Sequence, residues 1–218
     1  MKDKIKGSYK QSKNIYDDVL TQSKWWSKLY IRLFWGVDDM EIAEKLFHML
    51  PDNFDGSLLD VPCGTLNLTS QKYRHISNAQ ITCLDYSEDM LAIARERAYQ
   101  QDLSHLSLIQ GDVGKLAFQD NSFDVVLSMN GFHVFPNKHK AYEETARVLK
   151  TGGLFIGCFY IKGEYSPSDF IVKTILSKKG WFTPLFQTKE DVLSVLQKYY
   201  SKVEIYSEKA MVWFRCIK

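Results

Sequence analysis

Four cysteines, five prolines and a net charge of +2 are sparse in a chain of 218 residues, and each shortage excludes something. Cys63, Cys83, Cys158 and Cys216 lie far apart, with no CxxC pair. A disulfide framework and a zinc site are therefore not expected, and a reducing, cytoplasmic setting fits. Basic residues number 28 and acidic residues 26, so no field of one sign would attract a nucleic acid. No run approaches the roughly 18 uncharged apolar residues that a membrane-spanning helix needs. The opening MKDKIKGSYKQSK is basic without an apolar stretch behind it, which is not a secretory pattern.

What is present looks globular. The 45% hydrophobic and 25% charged fractions are ordinary for one domain with a substantial core. The aromatic share of 14% is the unusual figure, pointing to a ring-lined pocket or a ring-rich core. No repeat or low-complexity linker divides the chain.

The pattern along the chain sets the fold class. Residues 1–50 read as a helical cap, with an apolar stripe through Trp25, Trp26, Leu29, Leu33 and Phe34. A second helix in that segment starts near Asp38-Asp39 and ends before Pro51. From 55 to 160, short apolar runs (Ser57–Val61, Ile81–Leu84, Leu106–Ile109, Phe123–Met129, Leu154–Ile161) alternate with amphipathic stretches near 66–75, 87–101 and 137–149. Gly152-Gly153 reads as a stop signal for the last of these. Such alternation predicts a parallel sheet covered by helices on both faces. Residues 163–187 form a long, lid-like insertion. The segment 188–218 predicts a helix capped at Thr188 and running to about Tyr200, then strands Val203–Ser207 and Met211–Cys216, too closely joined for anything but an antiparallel hairpin.

In an open α/β sheet, ligands bind at the carboxyl ends of the strands. Acids occur at three of the four ends that follow predicted strands: Asp60 in DVPCGTL, Asp85 in DYSEDM and Asp112 in GDV; the fourth reads MNGFH. Asp60 or Asp85 alone would read as a strand end or a helix cap, and Asp112 as a turn residue. The recurrence favours a ligand site.

These segments resemble the class I S-adenosylmethionine-dependent methyltransferases, small-molecule branch, of the ubiquinone-biosynthesis type. Leu58–Thr65 is similar to the family's first motif, Leu84–Leu91 to its second acidic motif, and Gln110–Asp112 with Asp120–Val126 to its adenine-side stretch. Glu144, Arg147–Lys150 and Gly152-Gly153 resemble the helix and turn before the fifth strand. Of the first motif's three alternating glycines only Gly64 is present; Pro62 and Leu66 hold the other places.

The resemblance implies a Rossmann-like, seven-stranded, mostly parallel sheet with a C-terminal antiparallel hairpin. It implies S-adenosyl-L-methionine as cofactor and S-adenosyl-L-homocysteine as product. The cofactor residues would be Asp60, Pro62, Cys63, Gly64, Asp85, Tyr86, Met90, Asp112, Val113 and Asn130. Asp85 suits the ribose hydroxyls, Asp112 and the Val113 amide the adenine edge, and Tyr86 and Met90 the adenine faces. Gly64 would let backbone approach the methionine moiety, Asp60 would hold its ammonium, and Asn130 lies near the reacting centre. A nicotinamide dinucleotide fits poorly, because its fingerprint needs three glycines where PCGTLN has one.

Methyl transfer requires alignment in a dry cavity rather than a metal or a triad. His133, after the fourth strand, is the candidate base. Tyr16, Trp26, Tyr30 and Trp35 from the cap, with Tyr160, Trp181 and Phe182, are candidates for a ring-lined acceptor pocket. The expected partner is a small apolar or aromatic methyl acceptor, with no nucleic acid, no membrane span and a monomeric or homodimeric state. The alternative is a cofactor-binding, non-catalytic module that acts through a partner protein.

Overall fold

The structure is a computed structural model that describes residues 38–178 and 182–218. Helix α1 (Asp39–Phe47) is capped by Asp38, whose carboxylate accepts from the Met40 amide. Then follow β1 (Ser57–Asp60), α2 (Ser70–His75), β2 (Gln80–Asp85), α3 (Glu88–Gln100), β3 (Leu106–Gln110), β4 (Phe123–Met129), α4 (Lys138–Val148) and β5 (Leu149–Tyr160). After these come α5 (Ser166–Ile171) with a π-helical continuation (Val172–Leu176), α6 (Lys189–Leu196), β6 (Lys202–Glu208) and β7 (Met211–Ile217).

The seven strands form one sheet in the order β3-β2-β1-β4-β5-β7-β6. Strands β1 to β5 pair in parallel, and β7 runs antiparallel between β5 and β6. The expected class is therefore the observed one: a mostly parallel, Rossmann-like sheet ending in a hairpin.

Alternating side chains divide two cores between the faces of the sheet. Leu58, Val125, Leu127 and Ile156 join α1 and α2 on one face. Leu59, Val126, Phe155 and Phe214 join α4 and α6 on the other. Indole Nε1 of Trp213, fully buried, donates to the Ile42 carbonyl at 3.3 Å and ties α1 to β7. Among the described residues no helix is long and apolar enough to cross a membrane.

Three boundaries differ from expectation. The helix expected near 66–75 starts at Ser70, because Leu66 has φ +59 and a left-handed residue cannot continue a right-handed helix. Gly152-Gly153 does not stop α4. That helix ends at Val148, and the glycines lie inside β5, where the register with β4 shifts between Phe123 and Val125. Helix α6 ends at Leu196 rather than near Tyr200, after an N-terminal capping box between Thr188 and Asp191.

Backbone bonds among the described residues help to fasten the insertion. The Lys162 amide donates to the Gln187 carbonyl at 3.0 Å, closing its base, and the Thr183 amide donates to the His133 carbonyl at 3.0 Å.

Candidate active site

Strand β1 ends at Asp60, between β2 and β4, and the chain then turns through Val61–Leu66 across the carboxyl edge of the sheet. This loop is tied to its neighbours by backbone. The Cys63 amide donates to the Leu84 carbonyl at 2.9 Å, and the Gly64 amide to Asp85 Oδ2 at 2.9 Å. The Arg97 guanidinium on α3 donates to the Thr65 carbonyl. Asp85 Oδ1 accepts from the Ser87 amide at 2.8 Å, and Ser87 in turn caps α3.

The two departures from alternating glycines find local explanations. Gly131, just beyond β4, faces Pro62: a Cβ there would lie 2.5 Å from Pro62 Cδ. The proline ring fills the space that the glycine on the neighbouring strand leaves. Leu66 adopts a left-handed conformation otherwise suited to glycine, while its side chain is buried in the core beside Tyr73. Gly64 is also left-handed, at φ +55, and nothing lies within 4 Å of the position a Cβ would take. The loop is therefore open at the one glycine it retains.

The electrostatics of the site are set by Asp60. Its side chain is fully buried (0% exposed), and Oδ2 accepts from the Tyr73 hydroxyl at 2.7 Å. Oδ1 is buried with no hydrogen-bond partner among the described residues. Burial pushes the carboxyl up to about 7, aided by nearby Asp85 and opposed by the Tyr73 bond. Asp85 is also raised by burial, against amide bonds from Ser87, Gly64 and Tyr86 that favour its charge. Asn130 at the end of β4 has a second buried oxygen without a partner, Oδ1, while its amide donates to the Cys158 carbonyl at 2.8 Å. Acceptors without donors, at the junction of β1 and β4, are suited to a ligand that carries hydrogen-bond donors and positive charge.

The remaining expected residues divide into two groups. Asp60, Pro62, Cys63, Gly64 and Asp85 converge at the loop, and Met90 is buried on the first turn of α3. Tyr86 is 41% exposed next to Asp85. Asp112 Oδ1 accepts from the Gly114 amide at 2.9 Å and so closes its own turn, and Val113 is buried in the second core.

Of the residues expected to line an acceptor pocket or act as base, His133 stacks on Phe182 with ring centroids 4.4 Å apart, and Tyr160 meets Phe182 edge-on at 5.4 Å. Phe186 completes this ring cluster. Tyr16, Trp26, Tyr30, Trp35 and Trp181 lie outside the described residues.

His133, the expected base, sits inside this ring cluster. Its ring is buried, and Nδ1 accepts from the Tyr160 amide at 3.4 Å, which leaves the proton on Nε2. Burial, with help from the Lys138 charge, lowers its pKa to about 3. Burial and the Nδ1 bond both favour the neutral ring.

Sequence reading did not single out Tyr73, Arg97, Lys138, Asp169, Thr183 or Phe186. The Lys138 ammonium donates to the Thr183 carbonyl and hydroxyl at 3.1 and 2.7 Å, and burial lowers its pKa to about 8. Asp169 accepts from the Tyr160 hydroxyl at 2.6 Å and the Gly163 amide at 2.8 Å. Tyr73, Arg97, Lys138 and Thr183 act through contacts between elements distant in sequence, Asp169 bonds residues six and nine positions away, and only the aromatic texture of the insertion gave a signal, for Phe186.

Comparison with known proteins agrees with this geometry. Residues 59–157 match a family of proteins described as a methyltransferase domain. The chain is 39% identical over 98 residues to a demethylmenaquinone methyltransferase of Listeria welshimeri, a match covering 44% of this chain and 42% of that one. It thus spans about two-fifths of the length of the curated relatives it matches. A SAM-dependent methyltransferase from Thermotoga maritima superposes with a TM-score of 0.71, at 18% identity, over 98% of this chain and 99% of that one. Phosphoethanolamine N-methyltransferase 2 of Haemonchus contortus, in complex with S-adenosyl-L-methionine, superposes at 0.69 with 16% identity, over 81% and 52%. In strand order, and in sequence over residues 59–157, the chain is similar to these methyltransferases.

Proposed function

We propose that the protein binds S-adenosyl-L-methionine at the carboxyl ends of β1, β2 and β4 and transfers its methyl group to a small apolar or aromatic acceptor. The observation that carries this reading is the buried Asp60 Oδ1, unpartnered among the described residues, at the start of the loop that holds Gly64. An uncompensated buried acceptor is costly in the free protein and becomes useful when a cationic ligand supplies its donor.

The bound cofactor supplies an electrophilic methyl group on a sulfonium; the rest is done by the chain. Asp60 pairs with the ammonium of the methionine moiety. Asp85 accepts from backbone amides, and its remaining lone-pair capacity would serve the ribose hydroxyls. Tyr86 and Met90 offer flat and polarizable surfaces to the adenine. Asn130, at the end of β4, would offer its unpartnered oxygen to a donor on the ligand. The rings of Tyr160, Phe182 and Phe186 provide an apolar wall for the acceptor, and holding it about 3 Å from the methyl group is the main catalytic contribution. The Listeria relative, by its name, acts on demethylmenaquinone, which is consistent with a ring-bearing acceptor.

Titration calorimetry with S-adenosyl-L-methionine and S-adenosyl-L-homocysteine tests the cofactor half. Asp85→Ala is expected to weaken both by roughly 10- to 100-fold through the lost ribose bonds. Absence of binding to the wild type at millimolar ligand would overturn the reading. Turnover on a panel of quinones, phenols and amines then tests the acceptor half.

A further inference from the structure

We infer that Tyr73 is a positioning residue for the cofactor's ammonium: its hydroxyl holds one oxygen of Asp60 and so keeps the other presented, and charged, for that cation. The inference rests on the methyltransferase reading above and assigns a role to a residue outside the loop motifs.

Three observations support it. Tyr73 is fully buried on α2, and its hydroxyl lies 2.7 Å from Asp60 Oδ2. The other oxygen, Oδ1, has no partner among the described residues, so the carboxylate is half satisfied by the fold and half left open. Tyr73 is itself fixed by its backbone: its carbonyl is hydrogen-bonded to His105 Nε2 at 3.1 Å, which ties the end of α2 to the segment before β3. A ring locked at both ends fixes the Asp60 rotamer, as a precise ionic site requires.

The Tyr73 hydroxyl also controls charge. The titratable groups facing Asp60 are Tyr73 from α2, Asp85 and Cys83 from β2, and Cys63 from the loop. Burial raises Cys83 and, with a Cys83 contact, Cys63, so both thiols stay protonated. Asp85 opposes a second negative charge next to it. Burial, with Asp60 beside it, keeps the Tyr73 phenol well above its ordinary range, so it remains a donor at every working pH. It is therefore the group among these four that stabilises an ionised Asp60. With Asp60 titrating at about 7 in the free protein, binding of an ammonium should strengthen as pH rises toward that value.

The test compares two ligands. S-adenosyl-L-homocysteine carries the ammonium, whereas 5′-methylthioadenosine keeps adenine, ribose and sulfur but lacks the amino-acid part. For the wild type, affinity for the first should rise about eightfold between pH 6 and 7.5, and affinity for the second should stay flat. If loss of the hydroxyl raises the Asp60 pKa by roughly one unit, Tyr73→Phe should bind S-adenosyl-L-homocysteine about tenfold more weakly at pH 6 and about threefold at pH 7.5. It should bind 5′-methylthioadenosine as the wild type does. Asp60→Asn should weaken S-adenosyl-L-homocysteine and abolish the pH dependence, so a poorly folded Tyr73→Phe does not leave the matter open. Equal losses for both ligands, or pH-flat binding of S-adenosyl-L-homocysteine to the wild type, would overturn the role of Tyr73 alone. Failure of the wild type to bind either ligand would overturn the methyltransferase reading and this inference with it.

Discussion

Strands β1 and β4 lie side by side, and their two ends treat an aspartate in opposite ways. At the amino end, Asp124 accepts from the Ser57 amide at 2.9 Å, the Ser57 hydroxyl at 2.7 Å and the Lys150 ammonium at 2.8 Å. At the carboxyl end, about 10 Å along β1, Asp60 has one donor and one unpartnered oxygen. The first carboxyl is brought down to about 2 and the second is driven up to about 7. The side chain is the same; the difference lies in burial and in how many donors the fold provides. The amino end is finished as a structural joint, and the carboxyl end is left incomplete for a ligand to finish.

The sharpest way to break this comparison is to remove the incomplete charge. The folded pKa of Asp60 is raised above its unfolded value, so its contribution to stability is fully present below about pH 4 and is lost as pH rises through 7. Asp60→Asn keeps an oxygen for Tyr73 and has no charge to bury. Its stability relative to wild type should grow by roughly 2–4 kcal/mol between pH 4 and pH 8, read from urea unfolding curves. Saturating S-adenosyl-L-homocysteine should stabilise the wild type far more than the variant. A variant less stable than wild type at pH 8 would mean that Asp60 is a finished structural group, as Asp124 is.

A smaller effect concerns the loop above Asp60. Leu66 holds a left-handed conformation that costs a non-glycine residue about 1 kcal/mol, while its side chain is buried in the core. Leu66→Gly relieves the first and forfeits the second, and burial of a leucine side chain is worth about 3 kcal/mol including the cavity. The net expectation is a loss of about 2 kcal/mol on thermal unfolding, with cofactor affinity in the folded variant changed by less than threefold. A more stable variant would show that backbone strain, not packing, dominates this end of the sheet.

The contrast between the ends was only half legible in the sequence. Strand order, the hairpin and the acids at strand ends follow from apolar runs and from where they stop, because burial dictates both. Gly152-Gly153 misled because the helix stops earlier, at Val148, and the glycines occupy the register shift of β5 against β4 between Leu149 and Leu154. Leu66 carries no mark of its left-handed backbone, which is imposed by the turn and made tolerable by core packing. The Tyr73–Asp60 bond depends on how α2 is rotated against β1, and the engagement of His133 Nδ1 depends on how β4 leads into its loop beside β5. Such contacts between distant elements leave no spacing in the chain to read.

The smallest effect is expected at the finished end, and it is the control for the others. Burial alone would raise Asp124, yet the bonds from Lys150 and Ser57 bring it down to about 2. Because its folded pKa is depressed, its contribution is present above about pH 4 and is lost as pH falls toward 2. The side chain is 39% exposed and its Lys150 partner 43%, so solvent screens the ion pair and most of the value lies in the Ser57 bonds. Asp124→Ala should therefore cost about 1 kcal/mol at pH 7 and nothing at pH 2, with little relief from added salt. Affinity for S-adenosyl-L-homocysteine should be unchanged, since the joint lies at the opposite end of β1 from the loop. A loss of ligand affinity in a stable Asp124→Ala protein would mean that the two ends are coupled through β1 and β4, and that the division between a structural end and a binding end is wrong.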